Sequence, residues 1–482
     1  MSVSAARTIR GDFQTPHALA ARVCELLAAR GVCPSVVLEP TCGTGAFLRA
    51  GVATWGAAPA YFGFDIEPEY VTVARTNLPP DVRVSTRDFF AFDWDDLVRG
   101  LPEGRLLFLG NPPWVTNAGL GVLGGDNLPQ KTNSRLFTGL EAKTGKSNFD
   151  ISEWMILRLI DAGLAAGRVF DVAMLCKTGT ARKILEGAWR HGLPVTDAAL
   201  YRIDAGQWFG AAVEASLFFA TFGAKKIARG DPSASPSGGA ECQARCYTEL
   251  RATASQSVIG YAGGSLIADY DAYEAIRHLQ GGGTYRWRSG VKHDLANVCE
   301  LRRGDDGTLR NGFGDVVDIE DERVFPLLKC TDVFHGTEPT ERCVLLSQLT
   351  AGENTDGLRE RLPRTWAYIT RYADLFAARK SSIYKKQHAF ALFGIGEYTL
   401  APYKVAVSGL HKDVRFRLVG PWYGKPVVFD DTCYFVGRHT EAEAQTLLSR
   451  CESDEARQSI KAYLFADAKR PVTAELLHRL PL

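Results

Sequence analysis

Residues Leu38-Glu-Pro-Thr-Cys-Gly-Thr-Gly-Ala-Phe-Leu48 follow the β-branched pair Val36-Val37 and lead into a segment whose apolar residues recur at helical spacing. The stretch reads as a strand, a glycine-rich turn and a helix. Gly43 and Gly45 let the main chain approach a ligand closely, and the acidic Asp65 closes a second strand about 20 residues later, an arrangement suited to a nucleoside.

The same alternation extends on both sides. Apolar residues from Ala18 to Ala29 repeat at helical spacing; Ala60–Ile66, Arg83–Asp88 and Arg105–Gly110 read as further strands, and Pro68–Leu78 as a helix between two of them. Downstream come a helix over Ile151–Gly167, a buried strand over Val169–Cys176, a helix around Thr180–Arg190, and a hairpin from Ala198–Tyr201 and Val213–Phe222. This predicts an α/β fold: a mostly parallel, doubly wound sheet with a terminal antiparallel hairpin. Val115–Asn148, rich in Gly, Asn, Thr and Lys, reads as a long functional loop. Ala224–Ala244, rich in Gly, Pro, Ser and Ala, reads as a linker. The domains expected are therefore 1–222, a linker 223–245, and a less regular α+β domain over 246–482.

Two strand ends carry further chemistry. After the third strand, the Asp88 carboxylate can accept from an adenine amino group and Phe89 can cover its ring. The fourth strand ends in Asn111-Pro112-Pro113-Trp114. Two prolines fix the backbone, aim the Pro112 carbonyl and the Asn111 amide oxygen at one point, and leave Trp114 as a flat stacking surface. Such acceptors suit an exocyclic NH₂, whose lone pair is delocalised into its ring. Holding its hydrogens favours a more tetrahedral, more nucleophilic nitrogen, so no strong general base is required.

Composition narrows the classes. With 46% hydrophobic and 23% charged residues the 482-residue chain is not a disordered one, and its length suits two or three domains. Lys plus Arg (56) nearly cancels Asp plus Glu (55), so a polyanion site must be a local patch. Met1–His17 has no apolar core of a leader, and no apolar run approaches the roughly 18 residues of a membrane span, which reads as cytoplasmic, without a membrane partner. The 11 Cys show no paired C-x-x-C motifs, which suits reduced thiols; Cys242 and Cys246 have no second ligand pair, and no metal is expected.

Taken in order, these motifs resemble those of the S-adenosylmethionine-dependent DNA amino-methyltransferases that modify adenine N6 in bacterial restriction-modification systems. Phe13-Gln-Thr-Pro-His17 is similar to the family's N-terminal cofactor motif, Leu38–Leu48 to its Asp-Pro-x-Cys-Gly-x-Gly-x-Phe loop, and Asn111–Trp114 to its Asn-Pro-Pro-aromatic motif. The resemblance implies that Thr15 and Pro16 lie near the methionine moiety. It gives Glu39, Thr41, Cys42, Gly43 and Gly45 the cofactor loop, Asp65 with Ile66 the ribose, and Asp88 with Phe89 the adenine. Asn111 and Pro112 then grip the target amine beside Pro113, Asn111 also bordering the cofactor; Trp114 stacks on the flipped base, and Phe209 covers its other side. Glu39 stands where Asp is commoner, and Trp114 where many members have Tyr or Phe. Too few residues separate Gly45 from Asn111 to hold a recognition domain, which is the family's gamma order and places that domain C-terminally.

In that half, Arg379, Lys380, Lys385 and Lys386 mix with hydroxyl and aromatic groups as phosphate contacts would, with Arg286-Trp287-Arg288 as a weaker set. The partners implied are double-stranded DNA and a separate restriction endonuclease. Other planar amines (cytosine N4, an RNA base, a protein glutamine) fit the same motif, and a non-catalytic DNA-specificity subunit is the alternative from another class.

Overall fold

Parallel strands β1 (Val36–Glu39), β2 (Ala60–Asp65), β3 (Arg83–Thr86), β4 (Leu106–Gly110) and β5 (Phe170–Lys177) line up in the order β3-β2-β1-β4-β5. β7 (Ala215–Phe222) runs antiparallel between β5 and β6 (Val195–Ile203), so the hairpin closes the sheet as expected. Every residue of β1, β4 and β7 is buried, which is why these strands read as unbroken apolar runs rather than alternating ones. Helices α1 (His17–Ala29), α2 (Ala46–Trp55), α3 (Pro68–Asn77), α4 (Trp94–Gly100), α5 (Ile151–Ala165), α6 (Thr178–Arg190) and the short α7 (Ala205–Phe209) complete a Rossmann-like layer fold. The computed structural model describes residues 13–115, 150–223, 242–279, 283–385 and 387–482. Most of the expected loop and linker lie outside the described residues, although the Ile151 N–H donates to the Val115 carbonyl across the loop's two ends, 2.9 Å.

The first compact unit ends at Tyr270, further along than the boundary expected at 222. The reason is edge pairing. β8 (Gln243–Tyr247) pairs parallel with β6, and β9 (Ser257–Ala262) and β10 (Ser265–Ile267) continue the sheet to ten strands. Tyr201 and Tyr247 stack across the new pair at 4.3 Å. Without these strands β6 would present an open row of amides and carbonyls.

The second unit, Asp271–Leu482, is α+β. One sheet has the order β11 (Arg288–Ser289), β20 (Cys433–Arg438), β17 (Tyr403–Ser408), β18 (Phe416–Val419). A second is built from β14 (Val316–Val317), β13 (Leu309–Arg310), β12 (Glu300–Arg303), β16 (Arg342–Leu345), β15 (Val324–Leu328) and β19 (Val428–Phe429). The apolar stretches within Lys404–Leu410 and Lys425–Gly437 contribute to β17, β19 and β20. Helix α8 (Glu441–Cys451) buries Ala444, Leu447 and Cys451 in the core that holds Val405 and Val407 of β17.

Candidate active site

The carboxyl ends of the neighbouring parallel strands β1, β2 and β4 lie side by side, the edge at which open α/β sheets hold their ligands. From Glu39 the chain turns through Gly43 (φ 49°) and Gly45 (φ 85°) into α2. A Cβ at Gly43 would lie 2.3 Å from Gln14 Oε1 and push that side chain off the loop, while the left-handed backbone itself favours glycine. Gln14 Oε1 accepts from the Thr44 N–H, 3.2 Å, laying the segment before α1 across the loop. Asp65 accepts from two main-chain amides, Gly43 at 2.8 Å and Glu67 at 3.0 Å, tying β2 to the turn. Ile66, next in the chain, is 49% exposed, an apolar side chain left at the mouth.

Beneath the loop, Glu39 is buried with Oε2 unpartnered, and the Thr41 hydroxyl is likewise buried and unpartnered. Burial drives the Glu39 carboxyl well above its ordinary range; the Asp65 charge adds to the rise and a main-chain N–H at Leu48 opposes it. An unpaired buried carboxyl is costly to ionise unless a cation arrives. The donor set fits a ligand with a cationic end and a nucleoside: Glu39 for the cation, the Gly43–Gly45 turn for close main-chain approach, Asp65 and Ile66 at the mouth. Asp88 accepts from the Phe90 N–H, 3.0 Å, at the end of β3. Phe89 is buried against Trp94, ring centroids 4.6 Å apart, so it braces this end more than it presents a face.

At the end of β4, Asn111 Nδ2 donates to the Phe13 carbonyl, 3.2 Å, while Asn111 Oδ1 is buried without a partner. This bond fixes which way the amide points and leaves an acceptor over for a ligand. Trp114 is expected as an open stacking surface. Instead it is 6% exposed, and its indole N–H donates to the Leu175 carbonyl, 3.1 Å. The structure brings Phe209, at the end of α7, edge-on to Trp114 at 5.1 Å, and Phe13 lies 6.2 Å from Trp114 and 6.0 Å from Phe209. A base between two rings needs two contacts of about 3.5 Å, or about 7 Å in all, so the Trp114–Phe209 pair is closed as it stands. Phe13 and Gln14 belong to the N-terminal motif but have no individual role in the sequence reading; both act through groups, a main-chain carbonyl and an amide oxygen, that a motif does not reveal.

No protein-family model matches the chain. The Type II methyltransferase M.NspV of Nostoc sp. (strain ATCC 29411 / PCC 7524) is 38% identical over 478 residues, which covers 98% of this chain and 96% of that protein. This chain belongs to the type II methyltransferases. Among solved structures, the Type IIL restriction-modification enzyme MmeI in complex with DNA aligns with a TM-score of 0.56 and 12% identity, over 96% of this chain. This chain spans 64% of the length of that one, and the likeness is one of fold.

In the second unit of this methyltransferase the expected phosphate-binding run divides. Arg379 gives its donors to the carbonyls of Phe376, Ala389 and Ala391 and lies 3.7 Å over the Tyr384 ring, a structural use that leaves little for a phosphate. Lys380 and Lys385 are exposed, and Lys386 lies outside the described residues. A different cationic group gathers on tyrosines: Arg288 over Tyr398 at 4.8 Å, and Arg438 over Tyr285 at 4.4 Å, with Arg450 on the same ring. No carboxylate pairs with Arg286, Arg288 or Arg438 among the described residues. His293 accepts from the Leu295 N–H and faces Glu300, a structural role. The described residues contain no metal-ligating cluster, and none of their helices is long and apolar enough to cross a membrane.

Proposed function

We propose that this type II methyltransferase transfers a methyl group from S-adenosylmethionine to the N6 amine of an adenine turned out of duplex DNA. The observation that carries the reading is the unpartnered, buried Asn111 Oδ1, held in orientation by the Phe13 carbonyl at the end of β4. Bound, S-adenosylmethionine supplies an electrophilic sulfonium methyl. Glu39, Asp65 and the Gly43–Gly45 turn hold it, with Thr15, Pro16, Thr41, Cys42, Ile66, Asp88 and Phe89 around them. Asn111 Oδ1 and the Pro112 carbonyl accept the two hydrogens of the target amine, which draws its lone pair out of conjugation and towards the methyl. Trp114 and Phe209 take the base between them once they part, and their stacking offsets the few kcal/mol of unstacking the base from the duplex.

The second unit serves as the DNA-recognition domain, with Arg286, Arg288 and Arg438 as its carboxylate-free cations, and Lys380, Lys385 and Lys386 as further phosphate contacts. The relationship to M.NspV supports a place in restriction-modification, beside a separate endonuclease in the cytoplasm. The test is to incubate purified protein with methyl-labelled S-adenosylmethionine and, separately, duplex DNA, total RNA and protein extract. The labelled polymer is then digested and the modified unit identified by mass spectrometry. N6-methyladenine from DNA is the expected product. Label in N4-methylcytosine, RNA or glutamine would keep the acceptor chemistry and overturn the substrate; cofactor binding without transfer would favour a specificity subunit.

A further inference from the structure

A cavity of about 630 Å³ opens at the β3 edge of the ten-stranded sheet. Register sets its floor: Phe62 pairs with Arg83 and Phe64 with Ser85 across β2 and β3, so these four side chains share one face of the sheet. Leu97 of α4, Phe92 just before that helix and Pro79-Pro80 just before β3 add apolar walls. Every charged side chain in the lining is an arginine: Arg75 from α3, Arg83 from β3 and Arg87 just past its end. Neutral groups hold all three. Arg75 Nε donates to the Val84 carbonyl, 2.8 Å, and Arg87 Nη1 to the Thr86 carbonyl, 3.1 Å. Arg83 lies over the Phe62 ring at 5.5 Å and Arg87 over the Phe92 ring at 5.7 Å. None of the three pairs with a carboxylate among the described residues. Exposed arginines elsewhere do: Arg302, Arg364 and Arg457 each sit on one, at 3.0, 2.7 and 3.0 Å. Cations on an edge strand discourage pairing with other chains, but that use takes one of the five N–H donors of Arg75 and one of Arg87. It accounts neither for a shared cavity nor for the missing counter-charge.

We propose that this cavity binds a small organic phosphate, with the phosphate among the three guanidinium groups and a flat apolar body against Phe62 and Phe64. Three cations call for more charge than one carboxylate carries. A phosphate monoester brings about −1.5 to −2 at pH 7 and three acceptor oxygens, and guanidinium forks match that geometry. The volume falls within the roughly 300–1,000 Å³ of small-molecule sites. No residue assigned to the cofactor or the target amine lines the cavity, so the site stands apart from methyl transfer.

The experiment titrates the full chain with phenyl phosphate at low ionic strength by calorimetry, with inorganic phosphate and phenol as comparisons. Phenyl phosphate should bind more tightly than inorganic phosphate, phenol should not bind, and saturating S-adenosylhomocysteine should change neither result. Arg83 makes no hydrogen bond among the described residues, so Arg83→Gln should weaken phenyl phosphate binding about tenfold at unchanged Tm, and Arg83→Lys should lose less. Arg75→Gln should show a loss like that of Arg83→Gln. Absence of phenyl phosphate binding would overturn the proposal, as would wild-type affinity in both glutamine variants. Displacement by S-adenosylhomocysteine would put the probe in the cofactor crevice, and displacement by duplex DNA would assign the arginines to a nucleic-acid backbone; either would overturn a separate small-molecule site.

Discussion

Glu39→Gln separates the stability of the empty protein from its hold on a cationic ligand. Glu39 is 2% exposed, Oε2 has no partner, and burial keeps its carboxyl well above the ordinary range. The folded chain therefore keeps a proton that the unfolded chain has lost above about pH 4.3. Stability accordingly falls as pH rises from there towards the raised folded pKa, and the glutamine variant lacks that slope. Unliganded Tm should be unchanged or higher in the variant, increasingly so as pH rises. Ligand binding should move the other way. An ionised Glu39 facing the cofactor's ammonium forms a charge-assisted hydrogen bond of about 1.5–3 kcal/mol, which converts to about a 10- to 150-fold loss of affinity in the variant. Because the carboxyl must give up its proton to make that bond, wild-type affinity should rise between about pH 5 and pH 7, below the titration of an α-amino group at about 7.7–8.0. The variant should be flat over this range. Calorimetric titration with S-adenosylmethionine in two buffers of different ionisation enthalpy reads both affinity and proton release. Equal affinities with equal pH dependence would refute the assignment, and so would a variant that simply unfolds earlier.

Asn111→Ala removes one amine acceptor and should cut turnover by about 100-fold or more while leaving S-adenosylmethionine affinity nearly intact; parallel loss of cofactor binding would contradict that role. Trp114→Phe orphans the buried Leu175 carbonyl and should lower Tm by the equivalent of about 1–3 kcal/mol, whereas Phe209→Leu, on a half-buried ring, should lower turnover with little change in Tm; thermal melts beside kinetics distinguish them. Lys404 is 1% exposed, donates to the Ala401 and Val427 carbonyls, and is pushed down to about 7 by burial. Its unfolded form keeps the proton to about pH 10.4, so stability should rise with pH between those values by up to about 1.4 kcal/mol per unit. Urea unfolding should show this slope in wild type and not in Lys404→Met.

The parts of the fold legible in the sequence are those whose information is local. β1 and β4 are short apolar runs stopped by turns, and the glycines of the Gly43–Gly45 turn announce a left-handed backbone. Helix α4 is too short for a period to show, and its signal lies instead in Asp93, whose side chain caps the Asp96 N–H. β8 carries polar and apolar residues in Gln243–Tyr247 and becomes a strand because β6 offers it an edge more than forty residues earlier in the chain. The structural use of Arg379 is hidden for a similar reason: two of the carbonyls that take its donors, at Ala389 and Ala391, come into reach only through the fold. At the site, the residue types are legible and their states are not. A motif can nominate Asn111 as an acceptor, but only the Phe13 carbonyl decides that Oδ1 rather than Nδ2 is left over.

That difference bears on where the work of binding falls. The polar groups, Glu39 Oε2 and Asn111 Oδ1, are buried without partners, so each carries a desolvation cost that a ligand's hydrogen bond would relieve. The aromatic group is arranged in the opposite sense: Phe13, Trp114 and Phe209 already contact one another's rings. Of the two rings expected to flank a base, Trp114 is fixed by its indole hydrogen bond and burial, whereas Phe209 ends a five-residue helix at a left-handed Gly210 and is half-buried. The resistance to opening is therefore lopsided. A base entering the crevice meets a hydrogen-bonding wall that is already shaped and a ring that must swing aside. On the proposed function, selection by this site would rest on whether an amine reaches Asn111 with enough stacking surface to replace the contacts Phe209 gives up. A small amine without a ring could satisfy the acceptors and still leave the aromatic group closed, which is the physical ground for expecting a nucleobase over a bare side-chain amide.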